Sequence, residues 1–215
     1  PPQGSGQAGK KRLPGFSGEW RYLKLNEVFE RITDKADKKT QRVLSLTAGT
    51  GFVDQREKWN REIAGKNIEN YILLKRGEFS YNKGNSKRYP QGCIYPLEEF
   101  DEGAVPNVWY SFRLSHKDCD SKFYKHYFLS GGLNHQLSRI INSGVRNDGL
   151  LNLTAESFFA CKVPVPEKHE QEKIGSFLDT ADHELRLLKQ QRTALEKQKR
   201  GLMQQLLTGK VRVKE

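Results

Sequence analysis

The sequence predicts an α+β globular domain, mixed in its elements, followed by a long C-terminal α-helix that pairs as an antiparallel coiled coil. Three observations carry this. Short β-like alternations interleave with short helical spacings through the first three quarters of the chain, and Pro164 and Pro166 close that region. Helix formers then run almost uninterrupted for roughly 40 residues, about 60 Å at 1.5 Å per residue. A helix that long either buries itself against something or separates two things.

Residues 1–12, PPQGSGQAGKKR, are rich in Pro, Gly and Gln and lack apolar periodicity, so they read as a flexible leader. Gly4, Gly6 and Gly9 there have the spacing of a dinucleotide fingerprint. That motif works only between a strand and a helix start, where backbone amides meet a pyrophosphate, and neither flank is present. Residues 13–166 form the globular domain. Leu25, Val28, Phe29 and Ile32 share one face of a short helix. RVLSL (42–46), YILLK (71–75) and VWYSFRL (108–114) read as strands; in the last, Val108, Tyr110, Phe112 and Leu114 alternate with Trp109, Ser111 and Arg113. SKFYKHYFL and HQLSRII look helical on either side of Gly131 and Gly132. FFACKVPV (158–165) alternates again and ends at prolines, which cannot donate to a central ladder.

Residues 167–208 are the long helix. Ile174, Leu178, Ala181, Leu185, Leu188, Leu195, Leu202 and Leu206, with Arg192 and Lys199 as basic interruptions, follow an unbroken heptad seam. The stripe is narrow and the other faces are charged, so the seam asks for a partner helix. Charge is sorted as well: six acids against two lysines over 167–185, then nine bases against two acids over 186–215. Part of this complements the helix dipole. It also makes a second copy pair far better antiparallel than parallel, acidic half against basic half. Gly209 suits the position just past a helix C-terminus, in a short tail of residues 209–215 whose KVRV could add a strand.

Composition narrows the function. With 35% hydrophobic and 29% charged residues the chain suits a folded, rather polar domain, and no apolar run approaches membrane-spanning length. No signal sequence opens it, so a cytoplasmic location is expected. Cys93, Cys119 and Cys161 are odd in number and lack CxxC spacing, which favours small buried hydrophobes over a disulfide framework or a zinc site. A net charge of +11 favours a polyanionic partner. An Asn/Asp-Pro-Pro-aromatic loop and a Walker A sequence are absent, which argues against base methylation or nucleotide hydrolysis by these residues. Asp37-Lys38-Lys39 only echoes a nuclease motif and reads as a solvated turn. His116, His126, His135, His169 and His183 have no metal-ligand spacing. No catalytic residue, metal site or cofactor is assigned.

What remains is a binding surface. TDKADKKTQR (33–42) and YNKGNSKRYPQG (81–92) are basic loops flanking expected strands, and SGVRNDG (143–149) is a third. Lys and Arg neutralise phosphates, whereas Arg, Asn and Ser read base edges. The domain carries twenty bases against fifteen acids over 32–166. Taken singly each loop is an ordinary wet loop; together they point to double-stranded DNA. The candidate contacts are Lys38, Lys39, Lys83, Asn85, Lys87, Arg88, Arg146 and Asn147.

GLLNLTAESFFACKVPVPEKHEQEKIGSFLDTAD (149–182), followed by LEKQKRGLMQQLLTGKVRV (195–213), resembles the end of a target recognition domain joined to the conserved helical region of type I restriction-modification specificity subunits. The resemblance rests on Pro164, Pro166, Glu170, Gln171 and Ile174 at the junction and on Leu206 to Lys210 at the terminus. LPGFSGEWRYLKLNEVFERI (13–32) is similar to the usual opening of such a domain. The resemblance implies a non-catalytic subunit that reads a split DNA site and holds modification and restriction subunits, with S-adenosylmethionine, ATP and Mg expected on those partners. The usual subunit has two recognition domains and two helices packed antiparallel. One of each here implies a half subunit, completed as an antiparallel homodimer on a palindromic bipartite site. The competing readings are a recognition domain serving a single-chain restriction-methylation enzyme, and a coiled-coil adaptor whose head binds protein.

Overall fold

The computed structural model describes residues 12–37, 40, 42–47, 49–59, 65–84, 89–141 and 150–212. Strand β1 (Arg21–Lys24) passes through a single helical turn, α1 (Leu25–Val28), into β2 (Phe29–Arg31). β3 (Leu44–Thr47) and β4 (Gly51–Asp54) form a hairpin, followed by α2 (Gln55–Trp59) and a 3-10 segment over Gly65–Asn70. Then come β5 (Ile72–Lys75), β6 (Phe79–Asn82), β7 (Cys93–Pro96), β8 (Glu102–Val105) and β9 (Tyr110–Leu114). Helices α3 (Ser121–Leu129), α4 (Asn134–Ile140) and α5 (Ala155–Phe159) precede β10 (Lys162–Val165) and the long α6 (Lys168–Leu207).

Four strands make the main sheet in the order β2-β9-β6-β7, all antiparallel. Its centre is aromatic. Phe112 stacks on Phe79 with centroids 5.6 Å apart, and Phe29 meets both edge-on. Phe128 from α3 and Phe158 from α5 close over the same cluster. Such offset and edge-to-face pairs stabilise beyond the area they bury. Ser80 and Ser111, on the opposite face from Phe79 and Phe112, are also buried and share a hydrogen bond of 3.2 Å, so this sheet is covered on both sides. A second, mostly aliphatic cluster gathers Leu44, Leu46, Phe52, Ile72, Leu74 and Val105 from the β3-β4 and β5-β8 pairs, with Ile32 just after β2 and Leu97 just after β7.

β1 and β10 pair antiparallel, Arg21 opposite Val165, so the first and last strands of the globular part lie side by side. The chain divides after Gly175 into a globular unit and a second unit, Ser176–Glu215, whose described structure is mostly helix. The division falls about two turns into α6. Those first turns belong to the globular unit: Glu170, Gln171 and Gly175 are buried, and Ile174 packs on the aromatic core. A Cβ at Gly175 would lie 2.8 Å from Lys122 Cβ and 2.9 Å from the Phe123 amide, so glycine allows this close approach to α3.

The structure corrects two expected elements. The expected helix over Leu25–Ile32 is one turn followed by a strand, because Phe29 and Arg31 pair with Leu114 and Phe112. Phe158 and Phe159 end a helix capped by Thr154 instead of opening a strand, which begins only at Lys162. Gly209, at φ 73, sits where the sequence places the helix stop. Among the described residues no strand follows it. Cys119 and Cys161 are buried and Cys93 is half-buried, all free, as their spacing suggests. Among the described residues no helix is long and apolar enough to cross a membrane.

Candidate nucleic-acid interface

The end of β6 is built to hold a loop. Asn82 closes the strand: its side-chain oxygen accepts from the Gly84 amide at 2.8 Å, and its amide nitrogen donates to the Leu46 carbonyl at 3.4 Å. On the return side, Tyr81 donates its hydroxyl to the Gln91 carbonyl at 2.7 Å. Gly92 has φ 74, and a Cβ there would run into the Asn82 carbonyl oxygen, so only glycine suits this position. Tyr81 itself stacks on Phe158 at 4.7 Å. Burial raises the Tyr81 phenol well above its ordinary pKa and the Cys93 thiol to about 11, so both stay protonated at neutral pH. Tyr95, pushed to about 12 chiefly by burial, accepts from the Gly49 amide at 2.8 Å and pins the β3-β4 turn beside the same hairpin.

A second segment joins here. Gly84 forms an antiparallel bridge with Leu150, and the Leu151 amide donates to the Lys83 carbonyl at 2.9 Å. Tyr110 donates its hydroxyl to the Leu153 carbonyl at 2.5 Å. Two of the three basic stretches singled out in the sequence, 81–92 and 143–149, therefore have their described flanks hydrogen-bonded to each other. The third, 33–42, is anchored elsewhere: Lys35 bridges Ile72 and Val43 bridges Ala104, on the β5-β8 pair, and Thr40 exchanges hydrogen bonds with Asp37.

Of the candidate contacts, Lys38, Lys39, Asn85, Lys87, Arg88, Arg146 and Asn147 lie outside the described residues. Lys83 is described, and it is not a loop-tip cation. It is 7% exposed, with its ammonium 4.7 Å from the centroid of the Tyr110 ring and 3.3 Å from the Tyr110 hydroxyl. Sequence reading missed Tyr110 as part of the site, since an alternating strand offers no signal beyond core packing. It also missed Arg31, an exposed residue whose guanidinium carbon stands 5.9 Å from the same ring.

Along α6 the seam changes character. Ile174 is packed, Leu178 and Ala181 are half-buried, and Leu185, Leu188, Leu195, Leu202 and Leu206 are 42–57% exposed.

Comparison with known proteins fits this arrangement. Residues 98–197, from β7–β8 through most of α6, match the family model of the type I restriction modification DNA specificity domain. The likeness covers just under half of the chain and is to a DNA specificity domain. A curated relative, the type I restriction enzyme MjaVIII specificity subunit of Methanocaldococcus jannaschii, is 27% identical over 126 residues, which covers 55% of this chain and 27% of the relative. A solved structure concerned with complex assembly and conformational transition of the type I restriction-modification system superposes with a TM-score of 0.53 at 15% identity, over 89% of this chain and 46% of that one. The type I restriction-modification system S subunit from M. genitalium superposes with a TM-score of 0.50 at 18% identity, over 86% and 44%. The fold is shared, and this chain spans less than half the length of each of these relatives. The specificity-domain match begins beyond β6, so the hairpin loop after Asn82 lies outside it, whereas Leu150 to Leu153 lie within.

Proposed function

We propose that this chain is a sequence-specific DNA-binding subunit of a type I restriction-modification system, which reads one half of a bipartite site and scaffolds modification and restriction subunits. The observation that carries the reading is the Gly84–Leu150 bridge, in a chain similar over residues 98–197 to a DNA specificity domain. Two basic, Asn-bearing stretches leave adjacent backbone segments there. Lys38, Lys39, Lys87 and Arg88 supply phosphate contacts, and Arg88, Asn85, Arg146 and Asn147 supply base-edge contacts. The chain performs no catalysis in this reading; S-adenosylmethionine, ATP and Mg act on the partner subunits, in the cytoplasm.

Helix α6 pairs with a second copy of itself, antiparallel. Its exposed leucines support this, as does the sorting of acids toward one end and bases toward the other. Two recognition domains then address a palindromic split site, its half-site separation set by the paired helices.

Selection of bound duplexes from a randomised DNA pool tests the DNA reading: enrichment of one motif is expected, and no enrichment at low salt overturns it. Analytical ultracentrifugation tests the pairing. The chain should sediment as a dimer that falls to monomer when Leu185, Leu188 and Leu195 are made polar. A monomer throughout rejects the second copy as the seam's occupant.

A further inference from the structure

We infer that Lys83 is a positioning residue that ties the end of β6, at Lys83 and Gly84, to the Leu150–Leu153 segment, and that it does not itself hold DNA. This rests on the DNA reading above. Lysine is among the residues least often buried, because its ammonium loses hydration unless something replaces it. At Lys83 the replacement is the Tyr110 ring face, 4.7 Å from the ammonium, and the Tyr110 hydroxyl at 3.3 Å. A cation over an aromatic face is favoured most where water is excluded.

The direction of the chain of bonds gives the arrangement its use. Tyr110 donates its own proton to the Leu153 carbonyl at 2.5 Å, so it accepts from Lys83. A charged donor upstream polarises the phenol and strengthens its bond downstream. The Lys83 carbonyl meanwhile accepts from the Leu151 amide at 2.9 Å. Lys83 is thus tied to the Leu151–Leu153 segment twice, once through its backbone and once through Tyr110. Gly84 and Leu150, the next residues outward on each side, form the bridge from which both basic stretches depart. A displacement of one base therefore carries the other. Base readout needs side chains placed to a fraction of an ångström, and a distant support residue changes it without touching DNA.

The test uses the full chain with Lys83→Met, which keeps the length of the stem and removes the charge, and Tyr110→Phe, which keeps the ring and cuts the tie to Leu153. Three readouts are compared with wild type: hydrogen exchange at the Leu151 amide, the affinity ratio between the duplex that wild type selects and an unrelated duplex, and the salt dependence of binding to the unrelated duplex. Both variants should exchange faster at Leu151 and lose about tenfold in the affinity ratio, the scale of one well-made base contact. Their salt slope on unrelated DNA should not change. A Lys83→Met slope shallower by about 0.9, with the ratio kept, assigns Lys83 to a phosphate and overturns the inference. Unchanged exchange in both folded variants overturns it as well. If wild type itself selects no sequence, the DNA reading fails, and exchange at Leu151 still decides whether Lys83 ties the two segments.

Discussion

Glu170 and Gln171 are neighbours at the start of α6, both fully buried and both polar, and each is satisfied differently. The Gln171 side-chain amide donates to the Asp118 and Pro166 carbonyls at 3.1 and 2.8 Å and accepts from the Asp120 amide at 3.0 Å. Replacing it with Ala strands buried backbone groups, and we expect a loss of about 1–3 kcal/mol in urea unfolding. Glu170 accepts two bonds from Arg12, at 2.6 and 2.5 Å, and one from Trp20 at 3.1 Å. The Arg12 hydrogen bonds lower its pKa, against the opposing effect of burial. A carboxylate whose folded pKa is depressed stabilises the fold above its unfolded pKa, about 4.3, and loses that contribution as pH falls through the folded value. The stability difference between wild type and Glu170→Gln should therefore be full near neutral pH and shrink below about pH 4. A difference independent of pH would show that the charge on Glu170 is immaterial. The sequence marks Glu170 and Gln171 through the junction motif, but only the structure shows that the motif ties α6 to the turn before α3 and to the segment before β1.

At the scale of elements, burial was more legible than type. Leu25, Val28, Phe29 and Ile32 are all at most 2% exposed, as their shared face requires, yet they span a helical turn and a strand. Their 3, 1, 3 spacing matches the helical period alone, and the antiparallel pairing of β2 with β9 overrides it. The sequence does not separate β6 and β7 from their loop, because Tyr81 and Asn82 look like part of a polar stretch; burial of Tyr81 in the aromatic core overrides that local composition. Two substitutions test the hairpin and the sheet it belongs to. Gly92→Ala meets both a positive φ and the Asn82 carbonyl, and should cost roughly 1–2 kcal/mol or more in chemical denaturation. Phe112→Ala opens a cavity beneath Phe29, Phe79, Phe128 and Phe158, and should cost about 3–5 kcal/mol. Full stability in either variant would remove the corresponding element from the support of the candidate interface.

Over the whole molecule, the excess of positive charge predicts a steep electrostatic component in DNA binding. If six or more phosphates are neutralised, affinity for duplex DNA should fall by about a thousandfold between 50 and 200 mM salt. A flat response would favour a protein-binding head instead. The sequence by itself determined the mixed domain, the long heptad helix with its stop at Gly209, and the likeness to specificity subunits. Each of these is written in local periodicity, special residues or contiguous motifs. Only the tertiary structure decided that Lys83 is buried on Tyr110, and that the stretches after Gly84 and before Leu150 share one bridge while the 33–42 stretch is anchored on other strands. Those facts depend on pairing between residues far apart in the chain, which no local pattern encodes.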